Sequence, residues 1–358
     1  MTSSITYHQN IPQSWLTTEV FHAAQLLPEL QKPTIVKYPS KNPIEKPRWL
    51  ITLQHANESS GLYAFVDIWK KLHHQQRELN HDLYFAIVNG YGATRRAEYP
   101  MFGRRFAPNQ IDWNRCWTKP GEAGRTDMPA LQKEQVAELT DMILQTSPEH
   151  LIDIHNTTGN NKPLAYIMQN KVSPNLVNRL VDHLIYSEEL PGSFMNRFQD
   201  VCETITIECG KTGTLNSFLA GQQIIDNFIH YNPQLISKVH NSLNIYQEIG
   251  RLIIKESIDF TFSFLSNSSK EKSNTFFIRP DIEQLNQQNV LDFGPIGFYE
   301  SNDLPVLFEE NGKDLTTEYI TKQGNAIIIT KPLYGQLFTT NSANIRVSEL
   351  GYLSRKLS

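Results

Sequence analysis

Four residues able to handle a metal ion or a proton stand at the ends of apolar stretches. His55 and Glu58 fall in HANE, directly after WLITLQ; His155 falls in DIHNTTG; Glu208 falls in ITIECG. Two imidazoles and one carboxylate form a known ligand set for catalytic zinc, with the fourth position left to water. His55 and Glu58, three residues apart, converge on one ion if a turn follows the strand, and His155 then arrives from a distant segment. Asp153 or a neighbouring backbone carbonyl is at hand to orient an imidazole, as metal-bound histidines usually require. H-x-x-E alone is a common spacing. Position says more, because all four polar groups interrupt apolar strands near their ends, where packing favours hydrophobic side chains.

Hydrophobic periodicity supplies the elements that hold these ends. WLITLQH (49–55), LYFAIVNG (83–90), LIDIH (151–155), LAYIMQ (164–169) and ETITIEC (203–209) read as short strands. Between them, residues 61–79 carry Leu62, Phe65, Val66, Trp69 and Leu72 at helical spacing, and 130–146, 174–188 and 215–240 also read as helices. A short helix is expected near 17–26 in a proline-rich lead-in. Strands alternating with helices predict an α/β domain over residues 1–244: a mostly parallel, mixed sheet with helices on both faces. Ligands bind such a sheet outside the carboxyl ends of its strands, and the four residues fall there. Past residue 244 helical spacing fades. FTFSFL, NTFFIRP, VLFEENG and NAIIITKP, separated by Asn, Ser, Gly and Pro, predict a smaller β-rich domain over 245–358. His74 and His81, in the polar stretch HQQRELNH, read as solvated.

Composition excludes several alternatives. With 39% hydrophobic and 20% charged residues the chain is neither a disordered nor a membrane sequence. A net charge of −4 without a basic run argues against nucleic-acid binding. The N-terminal MTSSITYHQNIPQSW lacks the pattern of a signal peptide, and no apolar run is long enough to span a bilayer. Cys116, Cys202 and Cys209 show no C-x-x-C spacing and read as reduced thiols, so the cytoplasm is the expected location. Lys211 in ECGKTGT lacks the remainder of a phosphate loop.

HANE, then IDWNR, then DIHNTTG, then ITIECG resemble the aspartoacylase and succinylglutamate desuccinylase family, within the wider group of zinc carboxypeptidase-like folds. The resemblance covers about residues 48–222. It implies one zinc ion per chain on His55, Glu58 and His155, with Glu208 as general base. It implies that Asn114 and Arg115 grip a substrate carboxylate, and that Arg197 binds a second carboxylate on the acyl side. Arg105, or alternatively Arg104, would polarise the scissile carbonyl, and Tyr319 corresponds to a tyrosine that reaches into the site. The implied activity is zinc-dependent hydrolysis of the amide bond of a small N-acyl amino acid, a carbon–nitrogen bond other than a peptide bond. Zinc would lower the pKa of its water towards about 7, and Glu208 would take that proton and pass it to the leaving amine. The partner is then a small carboxylate-bearing substrate, with no nucleic acid or membrane involved, and a homodimer is in keeping with the resemblance.

The chain departs from the family pattern in places. Gln54 and Ala56 stand where glycines are common, and Trp113 replaces a smaller aliphatic residue, which would narrow the pocket. The C-terminal domain matches loosely. A zinc carboxypeptidase acting on peptides or cell-wall fragments shares the ligands and the Asn-Arg pair and remains the alternative. A binding protein that keeps the fold without catalysis is a third possibility, against which the intact Glu208 and three ligands count.

Overall fold

The computed structural model describes residues 3–94, 105–122, 124–168, 171–187, 190–232, 243–264 and 274–357. The chain divides into two units, residues 1–156 with 163–243, and residues 157–162 with 244–358.

The first unit is built on strands β1 (Thr6–His8), β2 (Thr34–Tyr38), β3 (Arg48–Thr52), β4 (Leu83–Ile87), β5 (His150–Thr157), β6 (Leu164–Met168), β7 (His183–Ser187) and β8 (Glu203–Lys211). Their order across the sheet is β1-β2-β4-β3-β5-β8-β6-β7. β3 runs parallel to both β4 and β5, whereas β2–β4 and β6–β8 are antiparallel. The sheet is therefore mixed, as expected. The helices are α1 (Gln13–Thr17), α2 (Ser60–His74), α3 (Gly90–Thr94), α4 (Ala130–Thr146), α5 (Pro174–Leu180), α6 (Phe194–Phe198) and α7 (Leu215–Ile229).

Successive strand residues point to opposite faces, and the core shows it. Trp49, Ile51, Tyr84, Ala86 and Leu151 join Leu139 and Ile143 of α4 and Phe194 and Phe198 of α6 in one buried cluster. Phe85, between Tyr84 and Ala86, turns the other way and meets Phe65 and Trp69 of α2, with ring centres 4.9 and 5.6 Å away. α7 packs beside α2 on that face. Gly61 lets α2 begin directly on the sheet: a Cβ there would collide with the Thr52 side chain and crowd Ile154.

Several expectations are corrected. Residues 174–188 are not one helix: α5 stops at Leu180, Val181 is extended (φ −148°, ψ 164°), and HLIYS forms β7 parallel to β6. α7 ends at Ile229, and residues 233–240 lie outside the described residues. The lead-in helix is replaced by α1 and a 3-10 segment, Val20–Glu29. His81 is not solvated but 3% exposed, with its Nδ1 3.5 Å from Glu45 and no hydrogen-bond partner on either ring nitrogen among the described residues. Trp113 does not narrow a pocket; it is 1% exposed and fills the core beside Trp117, Phe194 and Phe198.

The second unit is β-rich. Its long strand Asn244–Ile254 pairs antiparallel with Val306–Glu310 and with Gly351–Lys356, and the latter also pairs with Tyr334–Gln336. A five-stranded sheet runs in the order Asp259–Phe262, Thr275–Ile278, Gly297–Phe298, Ala326–Ile329, Ile320–Gln323. Residues 157–162 are bound into this unit. Asn161 Oδ1 accepts the Leu337 N–H at 3.1 Å, and Asn286 Nδ2 donates to the Asn160 carbonyl at 3.2 Å. The Lys162 N–H donates to Gln287 Oε1 at 3.2 Å, while Gln287 Nε2 donates back to the Lys162 carbonyl at 3.1 Å.

Candidate metal centre

β3 ends at Thr52, and the Val88 and Asn89 N–H groups donate to the Thr52 and Leu53 carbonyls at 3.0 Å each. Leu53 then takes φ +56°, a left-handed conformation that costs a leucine energy and recurs at functional sites. The chain folds back on itself, with the Glu58 N–H donating to the His55 carbonyl at 3.0 Å. His55 and Glu58 thus share one tight loop between β3 and α2. His155 projects from β5 on the same side as Asp153, two residues earlier.

The three side chains meet. His55 Nδ1 lies 2.7 Å from Glu58 Oε1, His155 Nδ1 lies 2.8 Å from Glu58 Oε2, and the two Nδ1 atoms are 3.2 Å apart. All three residues are buried. The outward nitrogens are held by carboxylates: His155 Nε2 by Asp153 Oδ2 at 2.6 Å and His55 Nε2 by Asp112 Oδ1 at 3.0 Å. An ionised carboxylate only accepts, and Glu58 meets both Nδ1 atoms as Asp153 and Asp112 meet the Nε2 atoms, so a cation held among the Nδ1 atoms would leave His155 Nε2 to donate to Asp153. Two imidazole nitrogens and a carboxylate converge there out of water, a setting that favours a positive charge among them.

Zinc ligands at about 2.0–2.1 Å in a tetrahedral array stand about 3.3 Å apart; the two Nδ1 atoms are 3.2 Å apart and the Glu58 oxygens sit closer, at 2.7 and 2.8 Å, so small outward shifts would let this donor set hold a metal such as zinc. The electrostatics agree. Burial opposes a charge on His155, yet Asp153 and Glu58 raise its pKa well above the usual value. Burial likewise opposes a charge on Glu58, yet the two imidazoles hold its carboxyl far below the ordinary range.

Asn156 braces the centre. Its N–H donates to Glu58 Oε2 at 3.0 Å, its Oδ1 accepts the Ser60 N–H at 3.1 Å, and its Nδ2 donates to the Gly210 carbonyl at 3.1 Å. This links the β3–α2 loop to β8, which carries Glu208. Glu208 Oε2 is buried without a hydrogen-bond partner among the described residues. Burial pushes its pKa up to about 8; His155 opposes this, Glu58 adds to it, and Arg105 opposes it.

Arg105 is anchored through its carbonyl, which accepts the Ala56 N–H at 2.8 Å. Its guanidinium lies 2.8 Å from His55 Nε2 and 3.6 Å from both the Glu58 and Asp112 carboxylates, while its side chain stays 37% exposed. Arg104 falls outside the described residues. Asp112 caps the short turn Trp113–Arg115 by accepting the Asn114 N–H at 2.9 Å. Burial works against the Asp112 charge, but His55, Arg105 and Arg115 hold its pKa far below normal. Asn114 Oδ1 accepts the Phe194 N–H at 2.8 Å, and the Trp117 N–H donates to Gly192 at 2.8 Å. These bonds fasten the Asn114–Arg115 turn to the start of α6; Arg197, in the last turn of α6, lies half-buried with its guanidinium 5.2 Å from the Phe198 ring. Tyr319 belongs to the second unit, where it is 9% exposed and packs on Phe308 at 5.1 Å. Asp112 was not singled out from sequence. Its only signal there is a carboxylate two residues before the Asn-Arg pair.

A mixed α/β sheet with a buried His-Glu-His centre at its strand ends defines the class, and its relatives by fold are specific. No protein-family model and no curated protein sequence matches the chain. Solved structures do. Succinylglutamate desuccinylase from Vibrio parahaemolyticus aligns over 90% of this chain and 86% of its own, at 14% identity and a TM-score of 0.56. The desuccinylase from Chromobacterium violaceum aligns over 90% and 89%, at 11% identity and a TM-score of 0.52. Murine aminoacylase 3 aligns over 89% and 97%, at 16% identity and a TM-score of 0.52. The chain has the fold of these desuccinylase and acylase structures.

Proposed function

We propose that the chain is a zinc-dependent amidohydrolase that removes the acyl group from a small N-acyl amino acid. One observation carries this: the Nδ1 atoms of His55 and His155 and the Glu58 carboxylate converge in a buried space, each imidazole backed by its own carboxylate. The names of the solved structures that share the fold support the substrate class.

His55, Glu58 and His155 would hold the metal, which supplies Lewis acidity and makes water a nucleophile at neutral pH. Glu208 takes the proton of the attacking water at its carboxylate and returns it to the amine nitrogen as the amide bond breaks, a role worth on the order of 10²–10⁴-fold. Positive charge at the three ligands lowers the Glu208 pKa from about 8 towards neutrality. Arg105 donates to the carbonyl oxygen as negative charge builds there. Asn114 and Arg115 hold the amino-acid carboxylate in a two-point contact suited to a guanidinium, and Arg197 receives a carboxylate on the acyl group.

The test is metal analysis together with a panel of N-acetyl, N-succinyl and N-formyl amino acids and of C-terminal peptides. Zinc near one per chain with turnover of acyl-amino acids is expected. Cleavage of peptides alone would replace this function with that of a carboxypeptidase.

A further inference from the structure

Behind His155 runs a buried chain of hydrogen bonds that passes through Gln54 and ends on Trp117. Trp117 Nε1 donates to Gln54 Oε1 at 2.7 Å, Gln54 Nε2 donates to Asp153 Oδ2, and that same oxygen faces His155 Nε2 at 2.6 Å. Trp117 and Gln54 are each 1% exposed and Asp153 is fully buried, so water does not substitute for any link. Asp153 Oδ1 has no hydrogen-bond partner among the described residues. Oδ2 therefore carries the whole duty of orienting the imidazole.

The chain has one direction. An indole N–H can only donate, so it must take the oxygen end of the Gln54 amide. That leaves the amide NH₂ to face Asp153, whose carboxylate only accepts. His155 must then donate through Nε2, which leaves its Nδ1, on the Glu58 side, as the nitrogen that would hold a metal. The group that sets this polarity, Trp117, lies three links from the centre and has no alternative bonding state.

We infer that Gln54, locked by Trp117, is a positioning residue that fixes the His155 ring and tautomer and so tightens the hold on the metal. This inference rests on the zinc centre proposed above. Gln54 touches neither the ligand atoms nor the substrate groups assigned there, and acts only through Asp153. Without its amide, the Asp153 carboxylate keeps a single partner and is free to turn about its Cβ–Cγ bond, and the ring loses its fixed support. Outer partners of metal-bound histidines are typically worth about 10–100-fold in metal affinity.

The experiment compares zinc dissociation constants, by chelator competition, in the full-length protein, Gln54→Leu and Trp117→Phe. Alongside, nitrogen NMR of the imidazoles reads the His155 tautomer without metal turnover. Zinc binding about 10–100-fold weaker in Gln54→Leu, a smaller loss in Trp117→Phe, and a mixed tautomer in both are expected, with added zinc restoring lost turnover. If Gln54→Leu does not fold, Trp117→Phe decides alone. Folded variants that bind zinc as tightly as the natural chain would overturn this inference and leave the zinc centre standing. A natural chain that takes up no zinc would remove both.

Discussion

The Nδ1 atoms of His55 and His155 face each other across 3.2 Å, with Glu58 touching both rings. Protein stripped with a chelator should therefore regain about one zinc per chain, the occupancy of a single three-ligand site, and melt at a higher temperature when it does. Zinc at a hundred times its dissociation constant adds about 2.7 kcal/mol to stability. His155→Ala should lose both the uptake and the thermal shift. Zinc-independent melting of the natural chain would count against the centre.

Glu208→Gln keeps the shape of a half-buried side chain whose Oε2 is buried and unpartnered among the described residues, so the variant should fold and retain metal. Its turnover should fall by about 10²–10⁴-fold. Metal content and kcat, measured on one preparation, separate this from loss of the centre. Retained turnover would assign the proton transfer elsewhere.

Arg115 sits in a turn capped by Asp112 and fastened to α6 through Asn114. Arg115→Ala should raise KM for an N-acyl amino acid by about 10–100-fold, the worth of charged hydrogen bonds. The methyl ester of the same substrate should be handled alike by both proteins. An equal loss on acid and ester would place the residue in structure and not in recognition.

His81 gives a prediction on pH. Burial, with Arg48 and His150 adding to it, lowers its pKa to about 3. The unfolded chain, with an ordinary histidine, binds the proton first as pH falls below about 6.5. The depressed folded pKa means that stability is complete above about 6.5 and drains as pH falls towards 3, at up to about 1.4 kcal/mol per pH unit. Urea midpoints at pH 7.5 and pH 5 should differ less in His81→Phe than in the natural chain. An identical difference would acquit this histidine.

The grouping of His55, Glu58 and His155 was legible because each stands where a short apolar run closes, and in an open sheet such ends gather on one rim. Other parts were hidden for physical reasons. HLIYS is too short for periodicity to separate a strand from the end of a helix, and pairing with β6 decided it. Polar neighbours made His81 look exposed, whereas burial depends on what the rest of the chain brings over it. Asp112 and Trp117 lie in loops without periodicity, and their meaning comes only from contacts with His55 and Gln54. Trp113 looked like a pocket wall because it adjoins Asn114, but a neighbour in a tight turn points elsewhere.

Residues 157–162 begin one residue after Asn156, yet their hydrogen bonds run to Asn286, Gln287 and Leu337 of the second unit. The C-terminal part is thus no detachable passenger. A gene shortened at codon 243 would still encode His55, Glu58 and His155, but the stretch leaving His155 would have lost the residues that hold it. Any attempt to obtain a minimal His-Glu-His unit by trimming should spare the tail.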